Sequence, residues 1–326
     1  MNAEVTTAYE PDILGPGFEK KIIRWEDDYE GAVVSTLIRK QCDTPKQTAV
    51  LYVHGFNDYF FQEEMAREYN LHGYDFYAVD LRKYGRSLLV HQKLNNVRDL
   101  AEYDADLDWA LSTIRKEGHF HVLLSGHSTG GLIVSLYADK RKGNELFDAV
   151  FLNSPFWDMN LNVLLKKLAI PLLACWGKHY PNQEVDGGFS ALYGLSLHKS
   201  HYGEWDYRLD WKPDVAPKVN CGWIRAIHLG QRKVKEGLRI SRPVLVIHAA
   251  QSVYLKKWSA QMFSGDAVLN VKDMERLVKR LKGEVKVFVA QGAIHDVVLS
   301  PKPVRAVVYQ ELFLWLNKVM AKFTIS

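Results

Sequence analysis

Residues 120–138 read as a strand, a corner and a helix. The apolar stretch Phe120 to Leu124 leads into Ser125-Gly126-His127-Ser128-Thr129-Gly130-Gly131, and a helix-like stretch, Leu132 to Ala138, leads out. A chain that turns this sharply has no room for bulky neighbours, so Gly126 and Gly130 fall where backbones crowd. Gly-x-Ser-x-Gly in this setting places Ser128 on a strained corner with its hydroxyl exposed. The helix that follows aims its N-terminal N–H groups and positive dipole end at the place where negative charge would develop. The pattern alone is weak, and an ordinary glycine-rich turn would also carry it. The strand before it, the helix after it and partners elsewhere give it weight.

The rest of the chain repeats the strand–helix theme. Short apolar runs recur at Ala49–Val53, Phe76–Val79, Val122–Leu124, Ala149–Leu152, Val244–Ile247 and Val285–Val289. Such runs suit strands buried on both faces of a parallel sheet. Helix-like segments at 61–71, 98–116, 132–142, 271–281 and 303–322 alternate with them, which predicts right-handed crossovers and a helix-covered sheet. Residues 19–25 and 32–38 read as a hairpin around Glu26-Asp27-Asp28-Tyr29-Glu30-Gly31. The fold class expected is therefore α/β, with a mostly parallel central sheet.

The alternation stops between Pro155 and Ile240. This stretch is rich in Trp, Tyr, Gly, Pro and His and has no clear strand. Residues 155–240 are expected to form an inserted cap on a core made of 1–154 and 241–326. Most of its aromatics are expected to pack within the cap, because aromatics dominate cores as well as sites. Some would line an apolar pocket over Ser128.

The chain has 326 residues, 47% of them hydrophobic, enough for one large α/β domain with an insertion. Its net charge of +4 is dispersed, with no basic block and so no nucleic-acid footprint. The three cysteines, Cys42, Cys175 and Cys221, form no Cys-x-x-Cys pair. They fit a reducing cytosol rather than a disulfide framework or a zinc site. The N-terminus lacks the basic start and apolar stretch of a signal peptide. No run reaches the roughly 18 apolar residues of a membrane span. A cytoplasmic location is expected, and no marked basic amphipathic helix points to a membrane surface. No metal-ligand spacing and no phosphate-binding glycine pattern is present, so neither metal nor cofactor is expected.

A serine hydroxyl needs a base, and the base needs a group to orient it. In a strand–elbow–helix architecture the acid and then the histidine follow the serine. His295, in Gln291-Gly292-Ala293-Ile294-His295-Asp296 just beyond the last apolar run, hangs where that base should. His54 and His127 precede any possible acid and are expected to shape the neighbouring loop and elbow. No carboxylate follows Val244–His248 directly. The first is Asp266, reached after an insertion carrying Tyr254-Leu255-Lys256-Lys257-Trp258. Asp266 is the expected acid, with Asp273 as runner-up, and a helix N-cap is its bland alternative. Asp296 adjoins His295 but should point away from it. The expected oxyanion donors are the backbone N–H groups of Thr129 and of Phe56, the latter in Val53-His54-Gly55-Phe56.

At these residues the chain resembles the α/β-hydrolase superfamily, and within it the lysophospholipase and monoacylglycerol lipase branch grouped with serine aminopeptidase-like hydrolases. The matching pieces are Val53 to Phe56, Asp80 to Ser87, Gly126 to Gly131, Asp266 to Val268 and Gly292 to Asp296. Lys83 replaces the first glycine of the family's Asp-x-Arg-Gly-x-Gly-x-Ser turn. Ser252 stands where a carboxylate is commoner. The resemblance implies a serine hydrolase acting on carboxylic esters through an acyl-enzyme. The partner expected is a small ester with an apolar acyl chain, such as a monoglyceride, a lysophospholipid or a short-chain ester. Two other readings stay open. One is a peptidase removing N-terminal residues, for which Glu184, Asp186, Glu204 or Asp206 would bind the substrate amine. The other is a ligand-binding protein on a hydrolase scaffold.

Overall fold

The computed structural model describes residues 4–5, 8–44, 47–143 and 145–324. Its long strands are β1 (Phe18–Asp28), β2 (Gly31–Lys40), β3 (Thr48–Val53), β4 (Asp75–Asp80), β5 (His121–His127), β6 (Ala149–Asn153), β7 (Val244–Ala249) and β8 (Val285–Ala290). They form one sheet in the order β1-β2-β4-β3-β5-β6-β7-β8, with two two-residue strands, Glu4–Val5 and Glu10–Pro11, added along β1. The first two junctions are antiparallel and all later ones parallel. The main helices are α1 (Glu63–Leu71), α2 (Asp104–Lys116), α3 (Thr129–Lys140), α4 (Ile170–His179), α5 (Cys221–Glu236), α6 (Val271–Leu277) and α7 (Lys302–Thr324).

The central strands are continuous apolar runs because both faces are covered. Leu51, Val53, Val122 and Leu124 join one buried cluster, while Val50, Tyr52, Leu123, Leu245 and Ile247 join the other. Each such side chain contributes about 1.5–3 kcal/mol through burial. β8 departs from the expectation. It is the edge strand, and Val287 and Val289 are each 38% exposed because no further strand lies beyond them. Two helices also differ in extent. Residues 98–116 divide into a 3-10 turn, Leu100–Tyr103, and α2, the turn being closed by a capping box between Asp99 and Glu102. Residues 271–281 end early as α6 followed by a 3-10 turn.

Lys83 shows how the replaced glycine is tolerated. It keeps the left-handed backbone, φ +66°, that a side chain makes unfavourable by about 1–2 kcal/mol. Its ammonium is fully buried, 2.6 Å from Asp28 and 2.8 Å from Glu30 in the β1–β2 turn and 3.9 Å from the Tyr29 ring centroid. The hairpin turn thus supplies the counter-charges that hold the strained residue.

Between β6 and β7 the chain leaves the sheet. This segment contains α4, α5, a short helix at Leu192–Leu197 and a two-residue antiparallel pairing of Glu184–Val185 with Val219–Asn220. α4 and α5 pack so closely that a Cβ on Gly177 would lie 2.1 Å from the Cys221 carbonyl oxygen. Gly230 brings α5 down onto Leu100 and Leu136 in the same way. Pro171 does not break the helix leading into α4. A π turn, Leu165–Ala169, precedes it, and Ile170 N–H donates to Leu165 O, so one extra residue is absorbed just before the missing donor. The resulting helix exposes Leu164, Leu165, Leu168, Leu172 and Trp176, an apolar outer face on a stretch expected only to lack a clear strand. Among the described residues no helix is long and apolar enough to cross a membrane.

Candidate active site

β5 ends at His127 and α3 begins at Thr129, so Ser128 alone makes the corner. Its backbone is strained, with φ +53° and ψ −115°. Four glycines make the corner possible. A Cβ on Gly126 would sit 2.5 Å from Gly130 O, and one on Gly130 would sit 2.4 Å from the carbonyls of Val53 and His54. Gly131 packs on Pro155, and Gly55 approaches the Cβ of Ser128. The strain is held by hydrogen bonds on both sides. Ser128 N–H donates to Asn153 O at the end of β6, and Ser128 O accepts from Leu132 and Phe156.

His295 lies in the loop after β8, where the sheet delivers it to the serine. Its Nε2 is 3.0 Å from Ser128 Oγ, and its Nδ1 is 2.9 Å from Asp266 Oδ2. A carboxylate can only accept, so Nδ1 carries the proton and Nε2 is free to accept from the serine hydroxyl. Asp266 is fully buried, and its other oxygen accepts from Val268 N–H (2.8 Å) and Leu269 N–H (2.7 Å). Those two bonds fix the carboxylate against rotation.

The late position of Asp266 has a simple geometric basis. The insertion after Ser252 loops out and returns, so that Asp266 and Ser252 form a parallel bridge. Asp266 N–H donates to Gln251 O, and Val253 N–H donates to Asp266 O. The carboxylate therefore arrives beside the end of β7 although it is distant in sequence. Asp273 lies elsewhere, paired with Lys166 and Arg276. Asp296 points away from His295 and accepts from Asn153 Nδ2 and from Val298 N–H.

Thr129 is the first residue of α3, so its N–H has no acceptor within the helix. Phe56 follows Gly55, whose backbone abuts Ser128 and His127. His54 shapes this loop. Its Nδ1 bonds to Gly55 O and its Nε2 accepts from Leu81 N–H. Burial lowers its pKa below the ordinary imidazole value.

The segment between β6 and β7 covers these residues, leaving Ser128 8% and His295 2% exposed. The Phe56 ring lies between Phe189 and Trp223, with centroids at 5.3 and 4.7 Å. The Tyr193 ring stands edge-on to His295, and its hydroxyl accepts from Asp296 N–H. Three of the four carboxylates considered for amine binding are already paired: Glu184 with Lys93, Glu204 with Arg305 and Asp206 with Lys199. Asp186 is exposed and accepts from Gly188 N–H in a tight turn. Among the described residues no group of three or more His, Cys, Asp or Glu side chains is arranged to hold a metal ion.

Sequence reasoning gave no role to Asn153, Asp58 and Lys212. Asn153 ties Ser128 to the loop that carries His295 through its carbonyl and side chain. Nothing in the local sequence marks these residues, because each matters through a partner distant in the chain.

The sheet order, the corner and the placement of Ser128, Asp266 and His295 define an α/β-hydrolase fold. The chain belongs to the family described as serine aminopeptidase, S33 (Hydrolase_4), which it matches over residues 44–302. It is thus a hydrolase of this fold. Among solved structures it is similar to a soluble variant of monoglyceride lipase from Saccharomyces cerevisiae in complex with a substrate analogue. That match has 17% identity and a TM-score of 0.65, and covers 91% of this chain and 94% of that one. It is also similar to monoacylglycerol lipase from Paleococcus ferrophilus (20%, TM-score 0.63, covering 87% and 99%). A third similar structure is Est1E from Butyrivibrio proteoclasticus with bound ferulic acid (16%, TM-score 0.55, covering 90% and 98%). No curated protein sequence matches the chain significantly.

Proposed function

We propose that the protein is a serine esterase that cleaves carboxylic esters through an acyl-enzyme. The observation that carries this reading is the unbroken hydrogen-bonded chain from Ser128 Oγ through His295 to Asp266 at a strained corner. Ser128 Oγ attacks the ester carbonyl as His295 Nε2 takes its proton. The N–H groups of Phe56 and Thr129 stabilise the tetrahedral oxyanion. The intermediate collapses, the C–O bond breaks and His295 returns the proton to the leaving alcohol. Water, deprotonated by His295, then attacks the acyl-enzyme and releases the acid and free Ser128. Asp266 orients His295 and stabilises its cationic form throughout.

Residues 155–240 act as the cap. The aromatics meeting Phe56 favour an apolar acyl chain, and the similar monoglyceride lipases make a monoglyceride a fitting substrate. Ester cleavage is the reading favoured by the apolar contacts around Phe56; of the carboxylates considered for amine binding, Glu184, Glu204 and Asp206 pair with basic side chains, and Asp186 is held by the Gly188 N–H.

The test is fluorophosphonate labelling with peptide mapping, run beside p-nitrophenyl esters from acetate to palmitate and an aminoacyl arylamide. Ser128 should be labelled, and Ser128→Ala should lose both labelling and ester turnover. Faster arylamide than ester turnover would favour the peptidase. Folded protein that neither labels nor turns over would favour a binding protein.

A further inference from the structure

The loop that carries Phe56 is gripped from above by one short stretch of the segment between β6 and β7. Asn57, Asp58 and Tyr59 follow Phe56 directly, and each is bound by a residue between Arg208 and Pro213. Asn57 Nδ2 donates to Pro213 O at 2.8 Å. Asp58 Oδ1 lies 2.9 Å from Lys212 Nζ. Tyr59 Oη accepts from Arg208 N–H at 2.8 Å, and its ring stands edge-on to Trp211 at 5.1 Å.

The Asp58–Lys212 pair is the buried centre of this grip. Asp58 is 2% and Lys212 9% exposed. On its other side Asp58 Oδ2 is 3.7 Å from Nδ1 of His127, the residue before Ser128. The pair therefore stands between the covering segment and the elbow. Asn57 beside it has φ +51°, a left-handed conformation that Asn tolerates better than most residues. Removing one partner of a buried ion pair leaves an uncompensated charge and frees the loop to rearrange. Oxyanion donors act by being fixed before the charge forms, and a misplacement of about 1 Å can cost roughly 10²-fold in rate.

We propose that Lys212 is a positioning residue. Through Asp58 it holds residues 55–59 so that the Phe56 N–H faces the developing oxyanion, and the oxyanion hole is complete only while the covering segment is seated. This deepens the esterase reading and rests on it. It also links substrate entry to chemistry: lifting the segment to admit an ester breaks the pair, and reseating it restores the donor.

The experiment uses the full chain with Lys212→Met, Asp58→Asn and the double variant. Four quantities are read: kcat and KM on p-nitrophenyl butyrate, the inhibition constant of an aryl trifluoromethyl ketone, and the thermal midpoint. The ketone is chosen because its adduct with Ser128 carries the oxyanion. Each single variant should lose kcat by roughly ten- to a hundredfold with KM within about twofold. Ketone affinity should fall by the same factor as kcat/KM, and the double variant should lose no more than the worse single one. Asp58→Asn preserves side-chain shape, so it decides the matter if Lys212→Met does not fold. Active wild type with wild-type kcat in the folded variants overturns the role of Lys212 alone, as does kcat lost with ketone affinity unchanged, or losses that multiply in the double variant. Wild-type protein that is neither labelled at Ser128 nor active on esters overturns the esterase reading and the role of Lys212 together.

Discussion

Asp266 is fully buried, and its carboxylate accepts three hydrogen bonds, two from backbone N–H groups and one from His295. Replacing it by Asn should keep the backbone bonds if the amide oxygen takes them. The amide nitrogen then faces His295 Nδ1 and donates to it, which selects the tautomer with the proton on Nε2. That tautomer cannot accept from Ser128. Asp266→Asn is therefore expected to lower kcat by about 10³- to 10⁴-fold with KM little changed, measured on a p-nitrophenyl ester. Asp273→Asn should leave kcat within about twofold, because that carboxylate pairs with Lys166 and Arg276 away from His295. The reverse pattern would reassign the acid. Gly130→Ala tests the corner itself. Its added Cβ would meet two carbonyl oxygens at 2.4 Å, neither of which can move without displacing the end of β3. Loss of Ser128 labelling together with a lowered thermal midpoint is the expected result.

At the scale of elements, legibility followed burial. β3, β4, β5, β6 and β7 are enclosed on both faces, so their apolar runs stood out; their ends fell within two residues of expectation except at β5, which runs three residues past Leu124 to His127. The edge strand β8 was found from Val285–Val289 although its exposed valines break the rule that identified it. The elbow was legible because its constraint is local: the crowded backbone demands glycine at fixed offsets from Ser128. Asp266 could be placed only through chain order, since the excursion after Ser252 hides the spatial bridge that returns it. The helix at 163–179 was not legible. Its periodicity is masked by apolar residues on both faces, and Pro171 reads as a breaker until the π turn before it is seen. The two faces should respond oppositely to substitution. Ile170 is 8% exposed and joins the core, so Ile170→Ala should cost about 2–5 kcal/mol in urea unfolding. Leu168 and Leu172 are 57% and 70% exposed, so Leu168→Lys and Leu172→Lys should each stay within about 0.5 kcal/mol of wild type. A large loss at Leu172 would mean that the outer face of α4 is covered in solution.

Over the whole molecule, buried titratable groups set how stability depends on pH, and the sign can be worked out group by group. Burial lowers the pKa of His54, His119 and His228. In the unfolded chain these imidazoles titrate near about 6.5, so below that pH the unfolded state binds protons that the folded state refuses. Their contribution is present above the unfolded pKa and is lost as pH falls. Two carboxylates act in the same direction at lower pH. Burial alone would raise Asp58, but Lys212, His127 and His54 outweigh it and hold the group well below the usual carboxylate range. Asp273 is likewise lowered by Arg276 and Lys166 against the effect of burial. Their stabilisation is complete above the unfolded value of about 3.9 and disappears below it. The tyrosines reverse the sign. Burial pushes Tyr74 up to about 12 and raises Tyr52, Tyr103 and Tyr193 well above the ordinary value. A raised pKa gives stability that is present below the unfolded value of about 10 and is lost as pH rises past it. The thermal midpoint, scanned at one fixed rate from pH 3 to 11, should therefore form a plateau between about pH 7 and 9. It should fall in two steps on the acid side, the first beginning near pH 6.5 and the second near pH 4, and in one step above pH 10. Replacing the most enclosed of these three imidazoles, as in His54→Gln, should shrink the first acid step without moving the second. A midpoint that stays flat between pH 5 and 7 in the wild-type protein would show that His54 and its fellows are protonated in the folded state. That would place a positive charge beside the Phe56 loop and require a different account of how the loop is held.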